Sequence, residues 1–110
     1  MPSPPEESIL LRIFVGEDCR HQRRPLYEAI VLAARKLDLS GATVLYGILG
    51  FGKSSKLREG STFSPSSDRP VVVEIVDRAE KIDAFLSVLD EMMQSGLITM
   101  ERARVLNAIS

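Results

Sequence analysis

Gly41-Ala-Thr-Val-Leu-Tyr-Gly-Ile-Leu-Gly-Phe-Gly-Lys-Ser-Ser55 decides how this chain is read. Ala42 to Leu49 is largely apolar and predicts a strand. Gly50-Phe-Gly52 ends it, and a polar segment follows. Gly47 to Ser54 also has the spacing G-x-x-x-x-G-K-S of a phosphate loop. Such a loop runs from a strand into a helix whose N-terminus meets the phosphates. Ser54 to Pro70 has no apolar periodicity, so the helix is missing, and no acidic strand end is placed to hold Mg²⁺. That argues against a nucleotide hydrolase. Two readings of the glycines stay open. Their N–H groups, with Lys53, Lys56 and Arg58, form an anion site, or they bend a strand end beside a solvated basic loop.

Working outward, Lys53 to Arg69 is a polar excursion of about 17 residues, and loops of that length in small domains are often functional. Pro70 to Val76 is β-branched and predicts the third strand, with Glu74 a lone acid in it. On the other side, Pro25 suits a helix start. Leu26, Ala29, Ile30, Ala33, Ala34 and Leu37 form one apolar stripe of a helix running to about Asp38, with Gly41 helping the chain turn away. Before it, Gly16 to Arg24 reads as a loop. Its Cys19 and His21 could be a nucleophile and base or merely line a ligand site; a loop does not hold a base against a thiolate, which favours the second. Tyr27 and Glu28 lie off the helical stripe and read as surface.

Ile9 to Val15 is the first strand, apolar at six of its seven positions and broken by Arg12. Arg12 either pairs with a carboxylate such as Glu74 at an interface or carries its charge out past the sheet edge. Met1 to Ser8 is expected to be a flexible tail, leaving one domain over residues 9–110. Asp77-Arg-Ala-Glu80 has the form of a capping box, and Ile82, Phe85, Leu86, Leu89 and Met93 make the stripe of a second helix that Gly96 ends. Thr99 to Leu106 fits either a strand or a short helix; a strand is favoured, since it completes the sheet.

The order is then β-α-β-β-α-β, an α+β ferredoxin-like plan with two helices on one face of a four-stranded antiparallel sheet. Strands one and three are apolar on both sides, so the second sheet face needs other subunits to cover it. Composition agrees with this and excludes much else. The net charge is −1, with 14 basic and 15 acidic residues, no Trp, four Phe and two Tyr. That argues against nucleic-acid binding. One cysteine and one histidine build neither a disulfide nor a zinc site. No apolar run approaches the ~18 residues of a membrane span, and no leader pattern opens the chain, so a cytoplasmic protein is expected. No paired carboxylates or Ser-His-Asp set supplies a catalytic apparatus, and we expect no enzyme activity. Arg102 and Arg104 alternate along the last strand and share a face, either as a phosphate site at a subunit cleft or as a solvated pair.

Six blocks in order now resemble a known family. They are Leu11-Arg-Ile-Phe-Val-Gly-Glu17, Pro25-Leu-Tyr-Glu-Ala-Ile30, Gly41-Ala-Thr-Val-Leu45, Gly50-Phe-Gly52, Pro70-Val-Val-Val-Glu-Ile-Val-Asp77 and Gly96-Leu-Ile-Thr99. Together they resemble the PII-like family called domain of unknown function 190, over roughly Ile9 to Leu106. The resemblance implies a signalling protein built as a PII-like homotrimer with sheets facing inward. It implies that residues 53–69 correspond to the T-loop through which PII proteins touch their targets, with Ser54, Ser55, Lys56 and Arg58 on it. It also implies adenine-nucleotide binding at inter-subunit clefts, near Thr43, Val44, Gly50, Phe51, Gly52 and Lys53, with Arg102 and Arg104 standing in for PII arginines. Departures from the pattern are specific. The Gly-Asp-Gly-Lys loop of PII after the second helix is absent, which suits AMP or ADP, or another anion, better than ATP. The Gly41 to Gly50 spacing is one residue longer than in PII, suggesting a bulge near Gly47. Arg23 stands where the family usually has Gly, and Leu57-Arg58 replaces a frequent Ile-His. The alternative function is a trimeric interaction module that needs no nucleotide and docks on a partner such as a membrane transporter.

Overall fold

The computed structural model describes residues 6–51, 57–59 and 69–106, with side chains for 7–50 and 69–106. Strand β1 (Glu6–Gly16) is followed by the short β2 (Arg20–His21) and β3 (Arg24–Pro25), helix α1 (Leu26–Lys36), β4 (Thr43–Tyr46), β5 (Leu49–Phe51), β6 (Leu57–Glu59), β7 (Pro70–Asp77), α2 (Ala79–Met92) and β8 (Leu97–Val105). The main sheet has the order β4-β7-β1-β8, with every pairing antiparallel. This is the expected ferredoxin-like arrangement, and β8 settles the ambiguous C-terminal segment as a strand.

Alternation fixes which sheet face is covered. Leu11, Ile13 and Val15 of β1 and Val71, Val73 and Ile75 of β7 point to the helices and are buried. Against them lie Leu26, Ile30 and Ala34 of α1, and Ile82, Phe85 and Leu89 of α2. Both expected stripes thus face the core, except for Leu37 at the end of the first. The opposite face carries Leu10, Arg12 and Phe14 of β1, Val72, Glu74 and Val76 of β7, and Leu45 of β4, and among the described residues no helix covers it.

Several boundaries differ from the sequence-based expectation, each for a nonlocal reason. The tail was expected to reach Ser8, yet Glu6 to Ser8 already belong to β1, where β8 pairs with them as far as Val105. The second strand stops at Tyr46 instead of Leu49. Gly47 donates its N–H to the Pro70 carbonyl at 2.7 Å, but Pro70 has no N–H to return, so the ladder ends. A Cβ on Gly47 would lie 2.6 Å from Pro70 Cγ, so only glycine fits this approach. The chain then leaves the sheet, and β5 pairs with β6 in a separate hairpin. Part of the expected loop 53–69 is therefore strand; residues 52–56 and 60–68 of the excursion lie outside the described residues.

Helix α1 ends at Lys36, short of Asp38. Asp38 takes the left-handed conformation (φ 61°). Its N–H reaches the Arg35 carbonyl at 3.1 Å, and that of Leu39 reaches Ala34 at 3.0 Å. This is a Schellman closure with Asp38, not Gly41, at the turning position, and it sends Leu39 into the core while Leu37 is exposed. Asp77 does not cap α2; that helix is preceded by Arg78, without a side-chain cap. Asp77 instead accepts hydrogen bonds from the N–H (2.9 Å) and Oγ (3.2 Å) of Ser40 and from the N–H of Arg78 (2.7 Å). It pins the α1–β4 connection to the end of β7.

The expected loop from Gly16 to Arg24 contains the β2–β3 hairpin, whose two turn residues, Gln22 (φ 49°) and Arg23 (φ 70°), are both left-handed. Such a turn favours glycine. Arg23→Gly should therefore raise stability by about 0.5–1 kcal/mol, the relief of left-handed strain exceeding the entropy glycine adds to the unfolded chain. Chemical denaturation checks this; an unchanged midpoint would show that the turn holds no strain.

Candidate functional site

The expected site residues occupy three separate places. Thr43 opens β4 and stands on the uncovered sheet face, opposite Glu74. It lines a groove of about 310 Å³ with Leu10, Ser40, Gly41, Ala42, Glu74 and Val76. Asp77 fixes the wall of this groove through its bonds to Ser40. Val44, its neighbour, points to the helix side and packs on the core, so the two do not share a site. Gly50 and Phe51 sit in β5, paired with Arg58 and Leu57 of β6. Gly52, Lys53, Ser54, Ser55 and Lys56 lie outside the described residues, as does the Arg58 side chain.

Arg102 and Arg104 do share one face of β8, opposite Ile9 and Glu7. That is the helix side, on the edge strand farthest from β4. Arg104 Nε lies 3.7 Å from Glu7 Oε1. Within one chain, Thr43 and these arginines are thus on opposite faces and three strand spacings apart, roughly 14 Å. A cleft lined by both needs a second copy. The arrangement excludes the phosphate loop as well: the described residues following Gly47 to Ser54 form strand β6, not a helix.

On the open face, Arg12 and Glu74 are directly paired residues of β1 and β7. Arg12 Nε donates to Glu74 Oε2 at 2.9 Å, and its Nη1 donates to Glu101 Oε1. The arginine therefore finds its carboxylates within its own chain, and the bond to Glu74 first, then that to Glu101, raises its pKa. Around the cluster the face is apolar, with Leu45, Val76 and Leu97 exposed.

Sequence reasoning missed a second cluster, at the end of the sheet where the excursion departs. Arg69, just before β7, donates to Glu17 from Nε (3.0 Å) and Nη2 (2.6 Å), and the Glu17 N–H returns to the Arg69 carbonyl at 2.8 Å. The Arg69 hydrogen bonds hold the Glu17 carboxyl below its ordinary range. The Arg69 guanidinium also lies 3.8 Å from the centre of the Tyr46 ring, a cation–π contact. Tyr46 meets Tyr27 edge to face, their hydroxyls 3.0 Å apart. That hydrogen bond, then burial, then the negative charge of Glu17 and Glu28, push the Tyr27 phenol up to about 12. Tyr27 was expected to be plain surface; it is half-buried and joins this cluster. Only the Gly16–Pro70 pairing brings Glu17 and Arg69 together, and nothing local in the sequence announces it.

Cys19 is a free, half-buried thiol. Its carbonyl accepts the Leu26 N–H at 2.7 Å, a structural role at the start of α1. Among the described residues no group of His, Cys, Asp and Glu is arranged to hold a metal, and no helix is long and apolar enough to cross a membrane.

The fold agrees with what the chain is similar to. The solved structure of CPII, a nitrogen regulatory PII-like protein from Thiomonas intermedia K12 bound to ADP, AMP and bicarbonate, superposes with a TM-score of 0.70 over 94% of this chain and 92% of that one, at 14% identity. This likeness establishes a PII-like fold. Closer in sequence, a UPF0166 protein of Aquifex aeolicus is 41% identical over 88% of this chain and 91% of its own length. A UPF0166 protein of Methanocaldococcus jannaschii is 32% identical over 87% and 89%. Residues 8–105 match the model of DUF190, described as "Uncharacterized ACR, COG1993", and with nearly the whole domain matched the chain belongs to the DUF190 family.

Proposed function

We propose that this chain is a PII-like regulatory protein that works as a homotrimer in the cytoplasm, without enzymatic activity. A small ligand, an adenine nucleotide such as AMP or ADP, binds at the clefts between subunits, and the segment 53–69 carries the response to a partner protein. The observation that carries this reading is the division of the site. Thr43 and its groove lie at one edge of the sheet, and Arg102 and Arg104 at the other. A neighbouring copy can bring the two sets together, and the uncovered apolar face gives that copy a reason to bind. CPII, of the same fold, was solved with ADP and AMP, which supports the ligand class. Here Gly96 leads directly from α2 into β8, leaving no glycine-rich loop to cradle a long phosphate chain. That favours AMP or ADP over ATP.

The ligand has to bind the ordered form of the excursion more tightly than the other forms to act as a switch. Calorimetric titration with AMP, ADP, ATP and cyclic nucleotides tests the reading. We expect binding of AMP or ADP, and Thr43→Arg should weaken it at least about tenfold, which corresponds to about 1.4 kcal/mol. Absence of binding by every nucleotide would remove this version. It would leave the second reading, a trimeric module that meets its partner, such as a membrane transporter, without nucleotide; the missing phosphate loop is the feature that favours it.

A further inference from the structure

We propose that the β2–β3 hairpin is a docking site for an acidic segment of a partner protein, with Arg23 at its centre. The inference deepens the regulatory reading above, on which it rests, by naming the chemistry of the partner. Arg20, Arg23 and Arg24 are exposed on this short hairpin, while His21 is half-buried. Hydrogen bonds fasten it at both ends. At the tip, Arg20 Nη2 donates to the Arg23 carbonyl at 2.9 Å. At the base, the Leu26 N–H reaches the Cys19 carbonyl at 2.7 Å. Both residues of the turn are left-handed, Gln22 at φ 49° and Arg23 at φ 70°. Glycine adopts that conformation freely, and a residue with a side chain only at a cost. An arginine held there gives up stability for the position of its guanidinium, and strain of this kind gathers at functional sites.

The charge pattern says what the hairpin meets. The acids nearest in sequence, Asp18 and Glu28, stand on its base side, before Cys19 and in the first turn of α1. Glu28 lies 3.5 Å from Arg24, and Glu17 is taken up by Arg69. Arg20 to Pro25 contains no acid, so the positive excess is concentrated toward the tip. Guanidinium forks match carboxylates in planar, two-pronged pairs. A bilayer is a poor fit, because between Gly16 and Val31 there is no exposed large hydrophobic residue to anchor in it. Nucleic acid fits no better, since the hairpin has no Phe, Tyr or Trp to stack on a base. Its position favours a partner of the excursion. The hairpin leads into α1, whose Tyr27 touches Tyr46 at one root of the excursion. It follows Glu17, which holds Arg69 at the other root. A partner that meets those roots comes within reach of the hairpin.

The test is fluorescence anisotropy of a labelled peptide of about ten glutamates with the full chain, at about 50 mM salt. We expect binding that weakens as salt rises. Arg23→Lys keeps both the charge and the strain and should stay within about twofold of wild type. Arg23→Gly should bind about threefold to fivefold more weakly, the share of one exposed charge pair, although its turn is relaxed and its fold more stable. Affinity and stability then move in opposite directions, which a purely structural role for Arg23 would not produce. Arg35→Gln, in the last turn of α1, removes the same charge elsewhere and should leave binding unchanged. Absence of peptide binding by wild type, or Arg23→Gly binding as well as wild type, overturns the inference. So does tighter binding to vesicles of phosphatidylglycerol and phosphatidylcholine, or to a single-stranded oligonucleotide, which would make the partner a membrane or a nucleic acid. Titration with AMP and ADP keeps the two readings apart. Nucleotide binding without peptide binding leaves the regulatory reading standing and removes the docking site. Peptide binding without nucleotide binding leaves the docking site standing and removes the nucleotide.

Discussion

Phe85→Ala should lower the unfolding free energy by about 3–5 kcal/mol. Phe85 is fully buried, flanked on the same helical stripe by Ile82 and Leu89, also at 0% exposure. Against this stripe stand Leu11 and Ile13 of β1, themselves at 0%. The loss has two parts: the transfer energy of the ring, and a cavity that a close-packed surround only partly closes. Collapse is restricted here because the sheet side of the core is held by ladders on both sides of β1. A domain of this size has about 5–15 kcal/mol in all, so the variant should sit near the edge of folding. Urea denaturation at fixed protein concentration measures it; a lower midpoint with the same slope is expected. A loss below about 1.5 kcal/mol would mean that the helix layer repacks, and that the core is less rigid than its burial suggests.

That layer was legible because its information is local. The stripes from Leu26 to Ala34 and from Ile82 to Leu89 repeat at helical spacing, and a 3.6-residue period needs no partner to be seen. Apolar residues on both sides of β1 and β7, broken by Arg12 and Glu74, likewise showed that both sheet faces are greasy. What could not be read depends on register. The end of β4 at Tyr46 follows from Pro70 standing opposite Gly47, 23 positions later. Asp77 matched a local capping pattern, but Ser40, 37 residues away, claims the carboxylate first. Arg12 and Glu74 were named as possible partners, and the antiparallel register placed them directly opposite each other in one chain. The candidate site was legible only in part for the same reason. Thr43 does line a groove, but the neighbouring Val44 turns into the core, because in a strand adjacent residues face opposite ways. The left-handed Gln22 and Arg23 were not legible either, because the segment from Gly16 to Arg24 reads as a loop and the β2–β3 hairpin shows only in the pairing of His21 with Arg24.

Breaking the Glu17–Arg69 clamp should cost less than the core cavity but bear more directly on function. Glu17→Gln removes a two-pronged charged hydrogen bond, and such bonds contribute about 1.5–3 kcal/mol. With Arg69 about one-third exposed (36%), water recovers part of the loss, and about 1.5 kcal/mol is the expected figure. The sign of the pH dependence follows from the Glu17 carboxyl lying below its ordinary value of 4.5 in the folded chain. Its contribution is fully present above that value and is lost as pH falls through the lowered folded pKa. Wild type and Glu17→Gln should therefore differ at neutral pH and converge in strong acid, which denaturation at the two pH values would show. A difference that persists in acid would place the effect in packing and not in the ion pair. The functional consequence comes from where the clamp sits. Tyr46 ends β4 and Arg69 precedes β7, so they are the two roots of the excursion, and Arg69 holds one to the other across the Tyr46 ring. Thr43 is three residues back along β4, on the groove. The proposed ligand would be joined to the excursion through a short, paired strand whose far end is gripped by Arg69. Loosening the grip should weaken ligand binding at the Thr43 groove, because coupling between groove and excursion is reciprocal, and raise amide exchange at Glu17, whose N–H is held by the Arg69 carbonyl. Affinity that stays unchanged while exchange at Glu17 rises would show that the groove and the roots of the excursion are not coupled, and would remove the switch.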